Sequence, residues 1–387
     1  MHDSPSRRAL ASGGPHGYRL TMTTILLSAG GTGGHLFPAE ALAHELVARG
    51  HDVHLVTDDR AGRFADRFPV KEIHRVRSAT FASKNPVKVF SALWTLWRGF
   101  REAGALIREI RPAVVVGFGG YPTVPPLMAA QRAGRPTMVH EQNAVMGRAN
   151  KFLAPRVDRI AAGIPQGKAD PAIVSKITVT GNPVRPAVIL AARQAYKPAE
   201  ADAPFNLVVF GGSQGAQFFS QVMPEAIAHL PEALRRRLVV TQQARAEDEE
   251  TVRRFYEAEG IPATVAPFFS DMAERIGAAH LVISRSGAST VSEIAVVGRP
   301  AILVPYPYAL DHDQAANAAR LEAEGGALVE PQAQLTPERL AGLIAGIADD
   351  PAKAAAMAAA ARATGIPDAA ELLADLVESM PQAVKPS

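Results

Sequence analysis

The chain has 387 residues, 47% hydrophobic and 20% charged. That composition suits a soluble globular protein of about two domains and excludes a disordered chain or a single small module. The absence of cysteine excludes disulfide scaffolds and zinc–thiolate sites, and a net charge of +3, from 41 Lys+Arg against 38 Asp+Glu, is too balanced for a dedicated nucleic-acid binder.

Residues 1–21 contain Arg7 and Arg8 but no apolar run of signal-peptide length, so they read as a disordered extension without a secretion signal. Periodic structure begins at Thr24, and Met22 just before it is the alternative start. From there short β-branched runs alternate with helix-length segments. Strands are expected at 24–28, 53–57, 113–117, 137–140, 177–180, 206–210, 237–241, 281–284 and 301–304. Runs this apolar indicate parallel strands buried on both faces. Residues 112–130 carry no charge, yet Gly117, Gly119, Gly120, Pro122, Pro125 and Pro126 would break the hydrogen bonding that hydrocarbon demands. The stretch reads as a buried strand entering a glycine loop.

Two strands run directly into glycine loops, the first into Gly30-Gly31-Thr32-Gly33-Gly34-His35 and the second into Gly211-Gly212-Ser213-Gln214-Gly215. One lies near the start of each half, so two doubly wound halves are expected, hinged near Gly181–Pro186, with a ligand at the carboxyl ends of both sheets. A glycine loop between strand and helix leaves N–H groups free at the helix start, which suits phosphate; the bland alternative is a tight turn. Neither loop fits the dinucleotide pattern G-x-G-x-x-G. Asp58 and Asp59, where a ribose-binding acid could lie, keep a nicotinamide enzyme as an alternative.

His35 closes the first loop and is a proton acceptor for a hydroxyl nucleophile or a cap that orients the loop. Glu141 follows another strand end as base, acceptor ligand or structural carboxylate. Ser286, Gly287 and Ala288 offer helix-terminal donors, and Gly298 before Pro300 ends that helix. Glu293, inside it, accepts from a ribose diol or lies on a solvated face. Asp311 and Asp313 form a D-x-D pair that binds a divalent metal or caps the following helix.

Between Lys71 and Arg111 nine Lys/Arg oppose three Asp/Glu. Asn85-Pro86 begins a helix there that holds both tryptophans, Trp94 and Trp97. Val89, Phe90, Leu93, Trp94, Leu96, Trp97 and Phe100 fill an arc of roughly 160° at helical spacing, with Lys88, Ser91, Thr95 and Arg98 opposite or at its edge. Such a helix lies on an anionic membrane or packs inward like any domain helix.

Seven motifs in order, at strand ends across both halves, resemble those of the MurG family of bacterial transferases. They are Gly30 to His35, Gly117 to Tyr121, His140 to Asn143, Gly181 to Arg185, Gly211 to Gly215, Arg285 to Ala288 with Ser292-Glu293, and Gln314 with Asn317-Ala318. The resemblance runs from Met22 to about Asp375. It implies an α/β GT-B fold, two Rossmann-like domains facing across a cleft. Residues 22–182 would take the acceptor and the membrane, and residues 183–387 the donor, with the last helix packing back on the N-terminal domain. The implied reaction is inverting transfer of N-acetylglucosamine from UDP-GlcNAc to the C4 hydroxyl of undecaprenyl-diphospho-N-acetylmuramyl-pentapeptide, lipid I to lipid II, without cofactor or metal.

By the same resemblance His35 is the general base, with Glu141 the second catalytic candidate. Gly30, Gly31, Thr32, Gly33, Gly34, Gly119, Gly120 and Tyr121 receive the acceptor diphosphate. Gly212, Ser213, Gln214 and Arg185 hold the donor phosphates, beside Ala288; Phe268, Phe269 and Met272 hold uracil; Glu293 takes the ribose; Asn143, Gln314 and Asn317 read the sugar. Lys88, Phe90, Trp94 and Trp97 form the membrane patch of a peripheral protein on the cytoplasmic face of the inner membrane, partnered there by other cell-wall synthesis proteins. Two positions depart from the family: Val124-Pro125-Pro126 replaces further glycines, and Asp313 stands where relatives often have an amide or imidazole. Rival readings within the fold are an epimerase or a lipid transferase with another acceptor. A non-catalytic nucleotide-sugar sensor would not need the acceptor-side loops.

Overall fold

The computed structural model describes residues 22–30, 33–58, 68–78, 86–167, 170–309 and 313–381, without the side chains of helical residues 86–90, 92, 93 and 213–216. The extension expected over 1–21 lies outside the described residues, as do Gly31, Thr32, Asp59 and Asp311 and the side chains of Lys88, Phe90, Ser213 and Gln214.

Seven parallel strands form the N-terminal sheet: β1 (Thr24–Ser28), β2 (Asp52–Thr57), β3 (Glu72–Arg75), β4 (Val114–Gly117), β5 (Thr137–Glu141), β6 (Arg159–Ala162) and β7 (Ile177–Val179), in the order β3-β2-β1-β4-β5-β6-β7. Six more form the C-terminal sheet: β8 (Phe205–Phe210), β9 (Leu238–Gln243), β10 (Ala263–Ala266), β11 (Leu281–Ser284), β12 (Ala301–Leu303) and β13 (Ala327–Val329), in the order β10-β9-β8-β11-β12-β13. The central strands β1, β4, β8 and β11 are predominantly apolar because helices cover both faces. All nine strands expected from sequence are present, with ends within a residue or two; β3, β6, β10 and β13 were not expected.

Each sheet reverses its strand order beside its first strand, between β1 and β4 and between β8 and β11. Loops leaving the carboxyl ends of two such strands diverge to opposite faces and open a crevice between them. Gly30, Gly33–His35 and the Gly119–Tyr121 segment flank one crevice, and the Gly211 and Arg285–Ala288 segments flank the other. Pro125 and Pro126 sit in the opening turn of helix Val124–Arg132, where a missing N–H breaks no hydrogen bond. Gly298 ends helix Ala288–Val297 at φ 71°, a left-handed conformation that glycine adopts without strain.

The chain passes between the lobes twice, after β7 and again before its last helix, Ala369–Glu378. That helix lies on helix Gly33–Ala48, and Leu373, Ala374 and Val377 complete the core that contains Leu27, Leu42 and Leu46. Arg49 Nη1 donates to Asp375 at 2.6 Å and Glu378 at 2.8 Å, while His51 Nε2 lies 2.8 Å from Glu378. At the first crossing Gly181 has φ 81°, and a Cβ there would meet Ile366 at 2.9 Å and Ala369 at 3.0 Å. The two crossings therefore touch.

Candidate active site

His35 stands in the first turn of helix Gly33–Ala48, just past the carboxyl end of β1. Two neighbouring loops position its ring. From β4, Gly119 has φ 92°, and a Cβ there would lie 3.2 Å from His35 Cε1 and 3.3 Å from Nδ1, so both conformation and space demand glycine. A Cβ on Gly30 would sit 2.3 Å from Pro122 Cγ, which shows how closely the β1 and β4 loops meet. From β5, Gln142 Oε1 lies 3.1 Å from His35 Nδ1. The structure thus brings Gly30, Gly119, Gly120 and His35 together, with Tyr121 opening the short turn Tyr121–Thr123 beside them. Gly33 and Gly34 open the helix itself.

Glu141 does not have the surroundings of a proton acceptor. Its carboxylate is 1% exposed and accepts from Asn143 N at 3.0 Å and Asn143 Nδ2 at 3.3 Å, and from Gly147 N and Asn150 Nδ2, both at 2.9 Å. These donors occupy both oxygens and fold residues 142–147 into the loop that faces the other lobe. In this structure the Glu141 carboxylate holds that loop.

That loop meets the C-terminal lobe through amides. Asn317 Nδ2 donates to Asn143 Oδ1 at 3.0 Å and Asn317 Oδ1 accepts from Ala144 N at 2.8 Å. Two of the three residues expected to read a sugar therefore bind each other in this structure. Gln314, one turn before Asn317, accepts from Tyr306 N at 2.9 Å. Asn182 Nδ2 bridges the lobes as well, donating to Gln142 O and to Ser292 Oγ at 3.0 Å each.

Arg185 lies 4.4 Å from the Phe37 ring centre and pairs with Glu293 at 3.3 Å. Glu293 is not on a solvated face: it is 8% exposed, and burial raises its carboxyl above the usual range while Arg185 pulls the other way. Arg185, expected on the donor phosphates, here neutralises the ribose candidate.

At the β8 loop, Gly212 has φ 65° and begins helix Gly212–Ala228. Its N–H and that of Gly211 donate to Gln243 Oε1 at 2.9 and 3.2 Å. Sequence reading missed Gln243, although its signal is a polar residue ending the strand next to β8. It also passed over the charge of Arg285, which is 5% exposed, pairs with no carboxylate among the described residues and bonds to Val304 O, Pro305 O and Gln332 Oε1. Burial lowers that guanidinium to about 10. Phe218 and Phe219, from the helix that the glycine loop opens, lie 5.1 and 5.3 Å from it. Of the aromatic pair, Phe268 is 53% exposed, whereas Phe269 is buried with Arg275 4.6 Å from its ring centre. Met272 packs, partly buried, against the core that contains Ile276 and Val282, and Ala288 opens its helix behind Gly287.

Among the described residues one cluster, His54, Glu72 and His74, has ligand atoms close enough to share a metal ion. His54 Nδ1 lies 3.0 Å from His74 Nε2, with ring centres 5.3 Å apart and planes 14° from parallel. In this structure the two nitrogens share a hydrogen bond. Asp313 begins helix Asp313–Ala323, at the outer end of the residues that join the lobes.

The glycosyltransferase family 28 N-terminal domain matches residues 25–162, and the family 28 C-terminal domain matches residues 206–373. The chain belongs to glycosyltransferase family 28. Family 28 relatives in Rhizobium rhizogenes and Rhizobium meliloti, each named UDP-N-acetylglucosamine–N-acetylmuramyl-(pentapeptide) pyrophosphoryl-undecaprenol N-acetylglucosamine transferase, are 65% and 64% identical over 92% of this chain and 95% of their own. The crystal structure of Acinetobacter baumannii MurG aligns with a TM-score of 0.74 at 29% identity, covering 93% of this chain and all of that one. A Listeria monocytogenes protein described as a putative UDP-N-acetylglucosamine 2-epimerase shares the fold at 14% identity and a TM-score of 0.64. The GT-B architecture read from the seven motifs is the architecture of this family 28 member.

Proposed function

We propose that the chain transfers N-acetylglucosamine from UDP-GlcNAc to the muramyl C4 hydroxyl of undecaprenyl-diphospho-N-acetylmuramyl-pentapeptide, converting lipid I to lipid II in peptidoglycan synthesis. The identity of 65% over nearly the whole length to transferases named for this reaction is the observation that carries it. Two anion-binding crevices at facing switch points support it, one for each diphosphate substrate.

The C-terminal crevice takes the donor. Helix-start N–H groups at Gly212 and Ala288 and the buried Arg285 favour the diphosphate, whose charge grows as the glycosidic bond breaks. Phosphate oxygens displace the Gln243 amide from Gly211 and Gly212. Uracil stacks near Phe268, and Glu293 accepts the ribose hydroxyls, which frees Arg185 toward the phosphates. Asn143 and Asn317 exchange their mutual bond, and Gln314 its bond from Tyr306 N, for the sugar hydroxyls. The N-terminal crevice takes the acceptor diphosphate against Gly30–Gly34 and Gly119–Tyr121. The C4 hydroxyl attacks the anomeric carbon from the face opposite the leaving UDP and gives its proton to His35, so the α-linked sugar is delivered as a β product.

The membrane side rests on helix Pro86–Ile110. Trp94 and Trp97 are 54% and 46% exposed, stacked at 5.0 Å, with Arg101 5.0 Å from the Trp97 ring. Gly99, Ala103 and Ile107 turn the other face inward. Among the described residues no helix is long and apolar enough to cross a membrane, and these aromatics with a cation at their rim suit an anionic surface. Replacing both, Trp94→Ser with Trp97→Ser, is expected to reduce co-sedimentation with phosphatidylglycerol vesicles at least tenfold, from burial of about 1.5–3 kcal/mol per large apolar side chain. Turnover of a short-chain, water-soluble acceptor should stay within about twofold, because these side chains lie outside the crevices. Unchanged vesicle binding would move the docking surface elsewhere.

The decisive assay supplies UDP-GlcNAc and lipid-linked muramyl pentapeptide, with and without chelator, and follows the sugar onto lipid. An epimerase would instead release free product.

A further inference from the structure

A hydrogen-bond chain leads from the hinge between the lobes to the imidazole of His35, and its polarity can be read link by link. His140 is wholly buried, and burial pushes its imidazole down to about 4, so it is neutral and carries one proton. Its Nε2 lies 3.2 Å from Gly181 O, which can only accept, so the proton is on Nε2 and Nδ1 is bare. Gln142 Nε2 sits 3.0 Å from that Nδ1, 3.0 Å from Phe118 O and 3.2 Å from His140 O. Three acceptors around one atom fix the amide: turned over, it would press an oxygen against two carbonyl oxygens. Gln142 Oε1 therefore faces His35 Nδ1 at 3.1 Å and, as an acceptor only, requires a proton there. In the neutral ring of His35, Nε2 is then the bare nitrogen, and no hydrogen bond joins it to a described residue.

We propose that Gln142, anchored by His140 to the hinge carbonyl of Gly181, is a positioning residue that holds His35 in the Nδ1–H tautomer, with Nε2 ready to take the acceptor hydroxyl proton. This rests on the reading of His35 as base; the tautomer itself does not depend on it. During the step, the proton leaves the C4 oxygen for Nε2 as that oxygen bonds to the anomeric carbon and the electron pair of the breaking bond departs with UDP. The resulting imidazolium keeps its Nδ1–H bond to Gln142.

The full chain labelled with 15N-histidine reports each ring's tautomer through two- and three-bond correlations, at a pH where His35 is neutral. The expected pattern is Nδ1–H for His35 and Nε2–H for His140. Nε2–H at His35 overturns the proposal, whatever the enzyme's activity. In Gln142→Leu the Nδ1–H population of His35 should fall and kcat should drop about 10²-fold at nearly unchanged KM for UDP-GlcNAc; a wrong histidine tautomer in a serine-protease triad has a larger effect, about 10⁴. Normal kcat together with a lost tautomer would instead refute His35 as base. If Gln142→Leu does not fold, the wild-type spectrum alone decides the tautomer.

Discussion

His35→Ala should lower kcat by about 10²–10⁴-fold while leaving KM for UDP-GlcNAc within about twofold, the range by which a positioned general base accelerates proton transfer. The split follows from location. His35 belongs to the crevice beside β1 and β4, whereas Glu293, Arg285 and Gly212, the groups proposed for the donor, belong to the other lobe. Steady-state kinetics with each substrate varied in turn would read it. Turnover within threefold of wild type would remove the base; a large rise in donor KM would show instead that the ring serves to join the lobes.

The second large effect is expected at Glu141, and it separates two meanings of an essential carboxylate. Glu141→Ala removes the acceptor from Asn143 N and Gly147 N, both partly buried, and from the buried Asn150 Nδ2. At about 1–3 kcal/mol for each unsatisfied group the variant should lose roughly 3 kcal/mol or more. At about 2–4 °C per kcal/mol for a lobe of this size, the melting midpoint should fall by roughly 6–12 °C. Turnover falls with it, because the same loop carries Asn143 to the lobe interface. Glu141→Gln turns an amide NH₂ toward donors and should also melt early. Full thermal stability with lost turnover in Glu141→Gln would instead restore Glu141 as a proton acceptor.

How the sequence encodes these features explains which were legible. β1, β4, β8 and β11 are predominantly apolar runs because helices cover both their faces, and that pattern stands out against turn residues on either side. β3 and β10 are half-exposed sheet edges with sequences EIHR and ATVA, and β13 has only three residues. β6, RIAA, is interior but built from small side chains behind a charged start. None of these four carries enough apolar periodicity to be seen without its neighbours. At the site, glycines after strands were legible because only a few backbone conformations leave N–H groups free at a helix start. Gln142 and Gln243 were not, since their roles depend on partners 107 and 31 or 32 residues away in the chain. Glu141 shows the same limit: position placed it at the crevice, but only its four donors show that it builds a loop.

The contact between the two interlobe crossings has a mechanical consequence. With the strand exit at Gly181 lying against Ile366 and Ala369, and Arg49 clamping Asp375 and Glu378 beyond them, both connections pivot at one place. The lobes can then swing open about a single axle near Gly181 but cannot swivel freely, so each opening returns the same two crevices to the same alignment. A chain ended at residue 365 should lose that guidance, which small-angle scattering would register as a broader spread of interlobe distances than in the full chain.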